Sequence, residues 1–472
     1  MSLLDTARGA YVRSPRIVRR TAAPFLAMIP ARLKFGATYR NWRQRIARAA
    51  TDPDYAAAQQ LASLRALLAK AHAGSPLYRD LIERAFGPDF DAAAIEIGDI
   101  ERLPILDKRQ LRAAGERALA VPRWQVDVGE TSGSNAEKPF RFYLDKDRSA
   151  REMAFVYDAW ASTGYTENDA RACLRGMGVG AGNQRLHEWD PALRELRLSA
   201  FPLTREDVDL YLDLIDARAI RYIYGYPSSV ELMCRHMRSL GRRPRLPIKG
   251  LLLISEPVFD HQRRTFADVL GDIPIACFYG LSEKALFGTE MAGKPGIYQF
   301  SPLYGLAELV DENGQPITEP GQEGRLIGTS FLTTGMPFIR YDTGDFARLV
   351  ERPNAQNGQR LRIEALTPRR KPDYLIAADG NRVVTVDLTP ENPRVFNGID
   401  EFQFYQKTPG KVLIRYIPAP EGSAADAERL ANYLWRRTRG RISFSTQKVD
   451  RIASGRGGKR AFIEQQLDLA HY

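Results

Sequence analysis

Apolar positions recur at helical spacing between residues 54 and 86, where Leu61, Leu64, Leu67, Leu68 and Ala71 fall on one face and predict a helical lead-in. From about residue 100 to 365 two patterns alternate. Helical periodicity occupies 148–163 and 205–218, and short apolar runs at 220–224, 250–254 and 273–279 read as strands. Strand–helix–strand order of this kind predicts α/β layering with largely parallel sheets. Two short alternating runs at 307–310 and 325–329 flank the polar turn 311–314 and predict an antiparallel hairpin. Composition shifts to proline and basic residues near 367–372, which places a domain boundary there. The tail reads as strand and turn over 374–386, strands near 402–405 and 412–416, and a helix over 424–437. No repeat of fixed period and no low-complexity tract interrupts the chain.

A length of 472 residues bounds the domain count at about three, or two unequal ones, at about 150 residues each. Apolar residues make up 44% and charged residues 26%, the profile of a folded chain rather than a disordered one. Cys173, Cys234 and Cys277 are widely spaced, so neither a disulfide framework nor a zinc ribbon is available and a reducing cytoplasm fits best. No run approaches the roughly 18 apolar residues of a membrane span. The net charge of +11 is unevenly placed: residues 1–50 carry eleven Lys and Arg against the single acid Asp5. This basic arm reads either as a solvated helix packing its apolar stripe on the body, or as an interfacial segment in peripheral contact with anionic membrane. It carries no reading-helix motif and no aromatic platform, so nucleic acid is not expected as a partner.

Three segments could carry chemistry. Residues 131–139 read Thr-Ser-Gly-Ser-Asn-Ala-Glu-Lys-Pro, where small hydroxyl residues around Gly133 let backbone N–H and side-chain O–H groups converge on phosphate oxygens. Lys138 could add charge, and an ordinary Ser/Gly surface turn is the bland alternative. Residues 278–283 read Phe-Tyr-Gly-Leu-Ser-Glu, in which Gly280 allows a flat ring to approach the backbone, Tyr279 can stack on a base and Glu283 is a hard oxygen ligand suited to Mg²⁺ on a triphosphate. Residues 339–345 end in Asp345 directly after a glycine, where a carboxylate can accept both hydroxyls of a ribose.

In this order the three segments resemble the adenylate-forming superfamily, and most of all its phenylacetate CoA ligase branch with the capsular-polysaccharide-biosynthesis relatives. Further matching pieces stand at 224–229 (Tyr-Gly-Tyr-Pro-Ser-Ser), 254–257 (Ile-Ser-Glu-Pro), Arg370 with Asp373, and Gly457-Gly458-Lys459, so that the resemblance covers about residues 100–472. It implies an α/β fold: a basic arm over 1–50, a large adenylation domain of layered sheets and helices over 51–366, and a small mobile α+β domain over 367–472. It also implies a two-step reaction in which a small aromatic or acyl carboxylate attacks the α-phosphate of ATP, giving an acyl-AMP, and CoA then takes the acyl group. Thr131, Ser132, Gly133 and Ser134 would hold the β and γ phosphates. Ser255, Glu256 and Pro257 would border the adenine, with Tyr279 and Gly280 against it; Ser282 would touch the α-phosphate and Glu283 would hold Mg²⁺. Asp345 would bind the ribose, helped by Arg370. Lys459 would neutralise charge developing during adenylation, and Asp373 matches the hinge about which the small domain swings. The acyl pocket would be walled by Tyr224, Gly225, Tyr226, Pro227 and Phe278.

The charge of the tail agrees with this reading, since nine Lys and Arg stand against Asp450 alone between Arg436 and Arg460, a field that attracts ATP, pyrophosphate and CoA. The phosphate segment departs from the family pattern at Asn135-Ala136-Glu137, which lacks a glycine and adds an anion. That departure keeps a silent scaffold of the same fold in view, beside a ligase that passes its acyl group to an amine or hydroxyl acceptor in an envelope pathway. Residues 290–300 contain neither Cys nor His, so the zinc site of some relatives is not expected. Neither H-E-x-x-H nor G-x-S-x-G occurs, and the glycines at 176, 178, 180 and 182 miss the dinucleotide-loop spacing.

Overall fold

The computed structural model describes residues 36–130, 140–175, 185–191, 193–200, 203–365, 374–384, 393–419, 421–452 and 463–468. Helices Gly36–Thr51, Pro53–Gly74 and Pro76–Phe86 open it. The helical lead-in over 54–86 is built from two helices, because Ser75 ends the first, caps the second through its side chain, and precedes a proline that starts the next. Helix Gly36–Thr51 packs its apolar face on the body: Tyr39 and Ile46 are buried, and Arg43 pairs with Asp158 at 2.6 Å. For this part of the basic arm, packing on the body describes the contact; residues 1–35 lie outside the described residues.

Strands β1 (Val126–Glu130) and β2 (Arg141–Asp145) pair antiparallel up to Glu130 and Arg141, so residues 131–139 connect them. A twelve-stranded sheet follows, built from β3 (Arg171–Leu174), β4 (His187–Asp190), β5 (Glu195–Leu198), β6 (Tyr222–Gly225), β7 (Gly250–Ile254), β8 (Ile275–Gly280), β9 (Phe287–Met291), β10 (Lys294–Phe300), β11 (Gly305–Val310), β12 (Glu323–Ser330), β13 (Tyr341–Glu351) and β14 (Arg362–Ala365). Its order is β11-β12-β13-β14-β10-β9-β8-β7-β6-β3-β5-β4. Parallel pairing is confined to β5, β3, β6, β7 and β8, and every other neighbour is antiparallel. The sheet is thus mixed rather than largely parallel. The crossover helices Arg205–Ala217, Pro227–Leu240 and Asp260–Leu270 precede β6, β7 and β8; beyond β8 the connections carry no helix and can join only antiparallel neighbours.

Both faces of the parallel section are covered. Ala154, Phe155, Tyr157 and Trp160 of helix Arg148–Ala161 pack with Cys173, Tyr222, Tyr224, Leu252 and Phe278 on one side. The three crossover helices bury Val208, Leu212, Met233 and Phe266 with Ile223, Leu251 and Leu253 on the other. This accounts for the continuous apolar runs of β6 and β7, which a sheet wet on one face would not show. All three cysteines are buried, and burial pushes each thiol up to about 12. The predicted hairpin forms as β11 and β12, but the turn at 311–314 does not close it: Val310 bridges back to Pro316, and β12 begins only at Glu323. The C-terminal region adds the hairpin β15 (Tyr374–Ile376) and β16 (Arg382–Val384), and a four-stranded sheet of order β19-β18-β17-β20. That sheet comprises β17 (Ile399–Thr408), β18 (Lys411–Pro418), β19 (Ser443–Lys448) and β20 (Ile463–Gln465), with helix Ala424–Arg437 packed on it through Leu430 and Leu434. Among the described residues no helix is long and apolar enough to cross a membrane.

Candidate active site

The parallel strands β3, β6, β7 and β8 end at one edge of the sheet, the place where open α/β sheets take ligands. Their register sets what stands there. Cys173, Tyr224, Leu252 and Ala276 share one row, because Cys173 pairs with Tyr224, Tyr224 with Leu252 and Leu252 with Ala276. Two residues further along, side chains return to the same face. The terminal row is therefore Arg175, Tyr226, Ile254 and Phe278, of which Ile254 and Phe278 are paired directly. Tyr224, Tyr226 and Phe278, three of the expected acyl-pocket residues, thus stand on one face at one edge. Pro227 starts helix Pro227–Leu240 there. Gly225 serves packing instead. A Cβ on it would lie 2.5 Å from the Leu174 carbonyl oxygen, so only a bare backbone lets β3 approach this closely.

Tyr279, on the opposite face of β8, meets Phe300 edge-on at a centroid separation of 5.5 Å and donates its hydroxyl to Asp345 Oδ2 at 2.7 Å. Asp345 reaches it from β13, four places away in the sheet, which requires the sheet to curl back on itself. A local irregularity aims this carboxylate. Ile327 pairs with Asp342 and Arg325 with Phe346, so Thr343, Gly344 and Asp345 bulge opposite the single residue Leu326. Gly344 takes the left-handed conformation the bulge needs (φ 78°), while Thr343 Oγ1 donates to the Leu326 carbonyl and accepts from the Asp345 N–H.

Glu283 lies just beyond β8, only 2% exposed, and accepts the Tyr341 hydroxyl at 2.7 Å. Lys108 Nζ stands 3.5 Å from the same Oε1. This lysine opens helix Lys108–Ala114, whose start is fixed by a capping box between Asp107 and Gln110. Asp345 opens to solvent, yet the surrounding protein and the Glu283 and Asp342 carboxylates push its carboxyl above the ordinary range, against the Tyr279 hydroxyl and Lys108. Burial likewise raises the Tyr279 phenol, and Asp345 adds to the shift.

Ser255 and Ser282 are exposed at the ends of β7 and β8, and Ser255 sits at φ 71°. The Glu256 carboxylate turns away from solvent to accept the Ser228 N–H at 3.0 Å and the Ser228 hydroxyl at 2.9 Å, capping helix Pro227–Leu240 from outside. Burial raises its carboxyl in spite of those donors. Pro257 follows it. Gly280 stands apart from the packing-dictated glycines: a Cβ there would approach nothing closer than the Phe278 ring at 3.8 Å, and its φ is not positive. The protein's own packing therefore does not require glycine at this edge. Thr131, Ser132, Gly133, Ser134, Lys138, Arg370, Asp373 and Lys459 lie outside the described residues. Sequence reasoning does not find Lys108 or Arg175; neither stands in a motif, and only the tertiary fold brings them to this edge.

No family model matches the chain. It is 22% identical over 395 residues to the protein CapK of Staphylococcus aureus, an alignment spanning 82% of this chain and 84% of that protein. It is 26% identical over 295 residues to the phenylacetate-coenzyme A ligase of Thermus thermophilus, covering 61% of this chain and 64% of that enzyme. A crystal structure of 2-hydroxyisobutyryl-CoA ligase in complex with 2-HIB-AMP and CoA superposes with a TM-score of 0.56 at 18% identity, over 90% of this chain and 93% of that one. The chain therefore has the fold of that ligase and is distantly similar in sequence, over most of its length, to CapK and to phenylacetate-CoA ligases.

Proposed function

We propose that the protein activates a small aromatic or acyl carboxylate with ATP and transfers it to CoA. In the first half-reaction a carboxylate oxygen attacks the α-phosphorus, the bond to the bridging oxygen breaks, and pyrophosphate leaves. In the second, the CoA thiolate attacks the acyl carbon and AMP leaves with the bonding pair. The observation that carries the reading is the meeting of Tyr279, Glu283, Asp345 and Lys108 from three separate stretches of chain, beside the terminal row of Arg175, Tyr226, Ile254 and Phe278.

Asp345 offers the ribose a carboxylate whose second oxygen is not engaged by Tyr279. Gly280 leaves space over the backbone where a flat ring can lie. Glu283 suits Mg²⁺, a hard cation that takes one or two carboxylates and completes its shell with phosphates and water. Among the described residues no group of three His, Cys, Asp or Glu could hold a metal. Bound at Glu283, the ion would neutralise phosphate charge. Lys108, next to Glu283, keeps that buried carboxylate compensated before nucleotide binds. Residues 367–472 would act as a mobile domain turning about Asp373, delivering Lys459 for adenylation. The test is AMP release with a panel of aryl, fatty and hydroxy acids, each with and without CoA. CoA-dependent release with one class supports the ligase; release that answers only to an amine or alcohol assigns a different acceptor.

A further inference from the structure

Arg175 ends the terminal row at β3. Its Nη1 donates to the Tyr224 hydroxyl at 2.8 Å, and the guanidinium carbon lies 5.2 Å from the centre of the Tyr224 ring. Its Nε is buried and has no hydrogen-bond partner among the described residues. The neighbouring charges are already matched: Glu195 takes Arg171 at 2.7 Å and Arg197 at 3.0 Å, and Asp190 takes Arg197 at 3.1 Å. Among the described residues no carboxylate pairs with Arg175. A half-buried cation with an unsatisfied donor is costly to leave so, and a ligand oxygen would satisfy it.

We infer that the acid carries a second oxygen acceptor, a hydroxyl, carbonyl or carboxylate, at the end remote from its reacting carboxyl, and that Arg175 binds it. The inference rests on the proposed ligase reading and names its substrate class. The geometry sets a length. The nucleotide-side residues sit on β8, and Arg175 starts three strands away but reaches back to Tyr224 on β6, leaving about two strand spacings, roughly 10 Å. An oxygen across an aromatic ring, or at the far end of a medium chain, fits that span. Tyr224 acts as a positioning residue, since its hydroxyl holds one arm of the guanidinium and directs the Nε edge away from itself.

The experiment compares matched acids: phenylacetate with 4-hydroxyphenylacetate and 4-carboxyphenylacetate, and hexanoate with 6-hydroxyhexanoate, 5-oxohexanoate and adipate. kcat/KM is read from acid-dependent pyrophosphate release, and binding of the same acids from titration calorimetry. We expect at least one oxygen-bearing member to exceed its parent by roughly tenfold or more, because the parent leaves the guanidinium unpaired. Whether the hydroxyl, carbonyl or carboxylate arm leads identifies the group. Arg175→Met brings the ratio near one; Arg175→Lys keeps the charge but not the fork and retains only part of it, as does Tyr224→Phe. Ratios near one in the wild type, or an Arg175→Met ratio equal to the wild-type ratio, overturn the inference. If no acid releases pyrophosphate, the ligase reading fails, and the calorimetric ratios then decide the role of Arg175 alone.

Discussion

Replacing Asp345 with asparagine separates nucleotide binding from folding. The wild-type carboxylate accepts one hydrogen bond from Tyr279 at 2.7 Å and has acceptor capacity left for a ribose. Asparagine keeps one acceptor oxygen and turns the other position into a donor, so at least one ribose hydroxyl loses its partner. Hydrogen bonds to charged groups are worth about 1.5–3 kcal/mol. At about 1.4 kcal/mol per factor of ten, the KM for ATP should rise roughly ten- to a hundredfold. The fold should not suffer: Asp345 opens to solvent, and its raised carboxyl means that ionisation weighs against the folded state at neutral pH, so Tm is expected to hold or rise slightly. In the wild type, ATP affinity should fall as pH is lowered through this raised value, since a protonated carboxyl cannot accept from both hydroxyls. The variant should lose that acid limb. Initial rates of pyrophosphate release against ATP concentration, from about pH 5 to 8, supply the data. A KM within about twofold of wild type in a variant of unchanged Tm would refute the ribose role.

Lys459→Ala should lower adenylation by about a hundredfold or more, as expected for a preorganised cation, and transfer from preformed acyl-AMP by much less; single-turnover assays of each half-reaction separate the two. Asp145→Asn should destabilise the protein at neutral pH by about 2–3 kcal/mol, because the carboxylate accepts from Thr334 and Gly335 N–H and pairs with Arg151. Burial would raise this carboxyl, but those three partners hold it below 3.8, so its contribution is present above that value and lost as pH falls through the lower native one. Denaturant titrations at pH 7 and pH 3 should show the deficit shrinking. Arg171→Met leaves Glu195 buried with only Arg197 for compensation and should cost about 3–5 kcal/mol, read as a fall in the urea midpoint.

The sequence is most legible where local rules and tertiary packing agree. The run 250–254 is β7 to the residue, and the helix expected over 424–437 is Ala424–Arg437, started by a capping box between Ser423 and Asp426. Sheet sense is less legible, since periodicity distinguishes a buried strand from an exposed one but does not say which neighbour it pairs with. The hairpin connection differs from expectation because 311–314 is a genuine turn followed by a short return to Val310, rather than the hairpin's own loop. At the site, Tyr279, Glu283 and Asp345 can be singled out by residue type beside a glycine. That Tyr279 and Asp345 are hydrogen-bonded cannot, for the contact depends on the curl of the sheet between β8 and β13. Glu256 shows the opposite limit: its place at a strand end is readable, whereas its engagement with Ser228 is a tertiary contact.

Exchange of labelled pyrophosphate into ATP measures acyl-adenylate formation at this site without CoA. Exchange is expected to require a carboxylic acid, to proceed in the absence of CoA, and to be lost in Glu283→Gln protein that still folds. Exchange that persists at wild-type rate in Glu283→Gln, or no exchange with any acid in the presence of ATP and Mg²⁺, would contradict acyl-adenylate formation at this site.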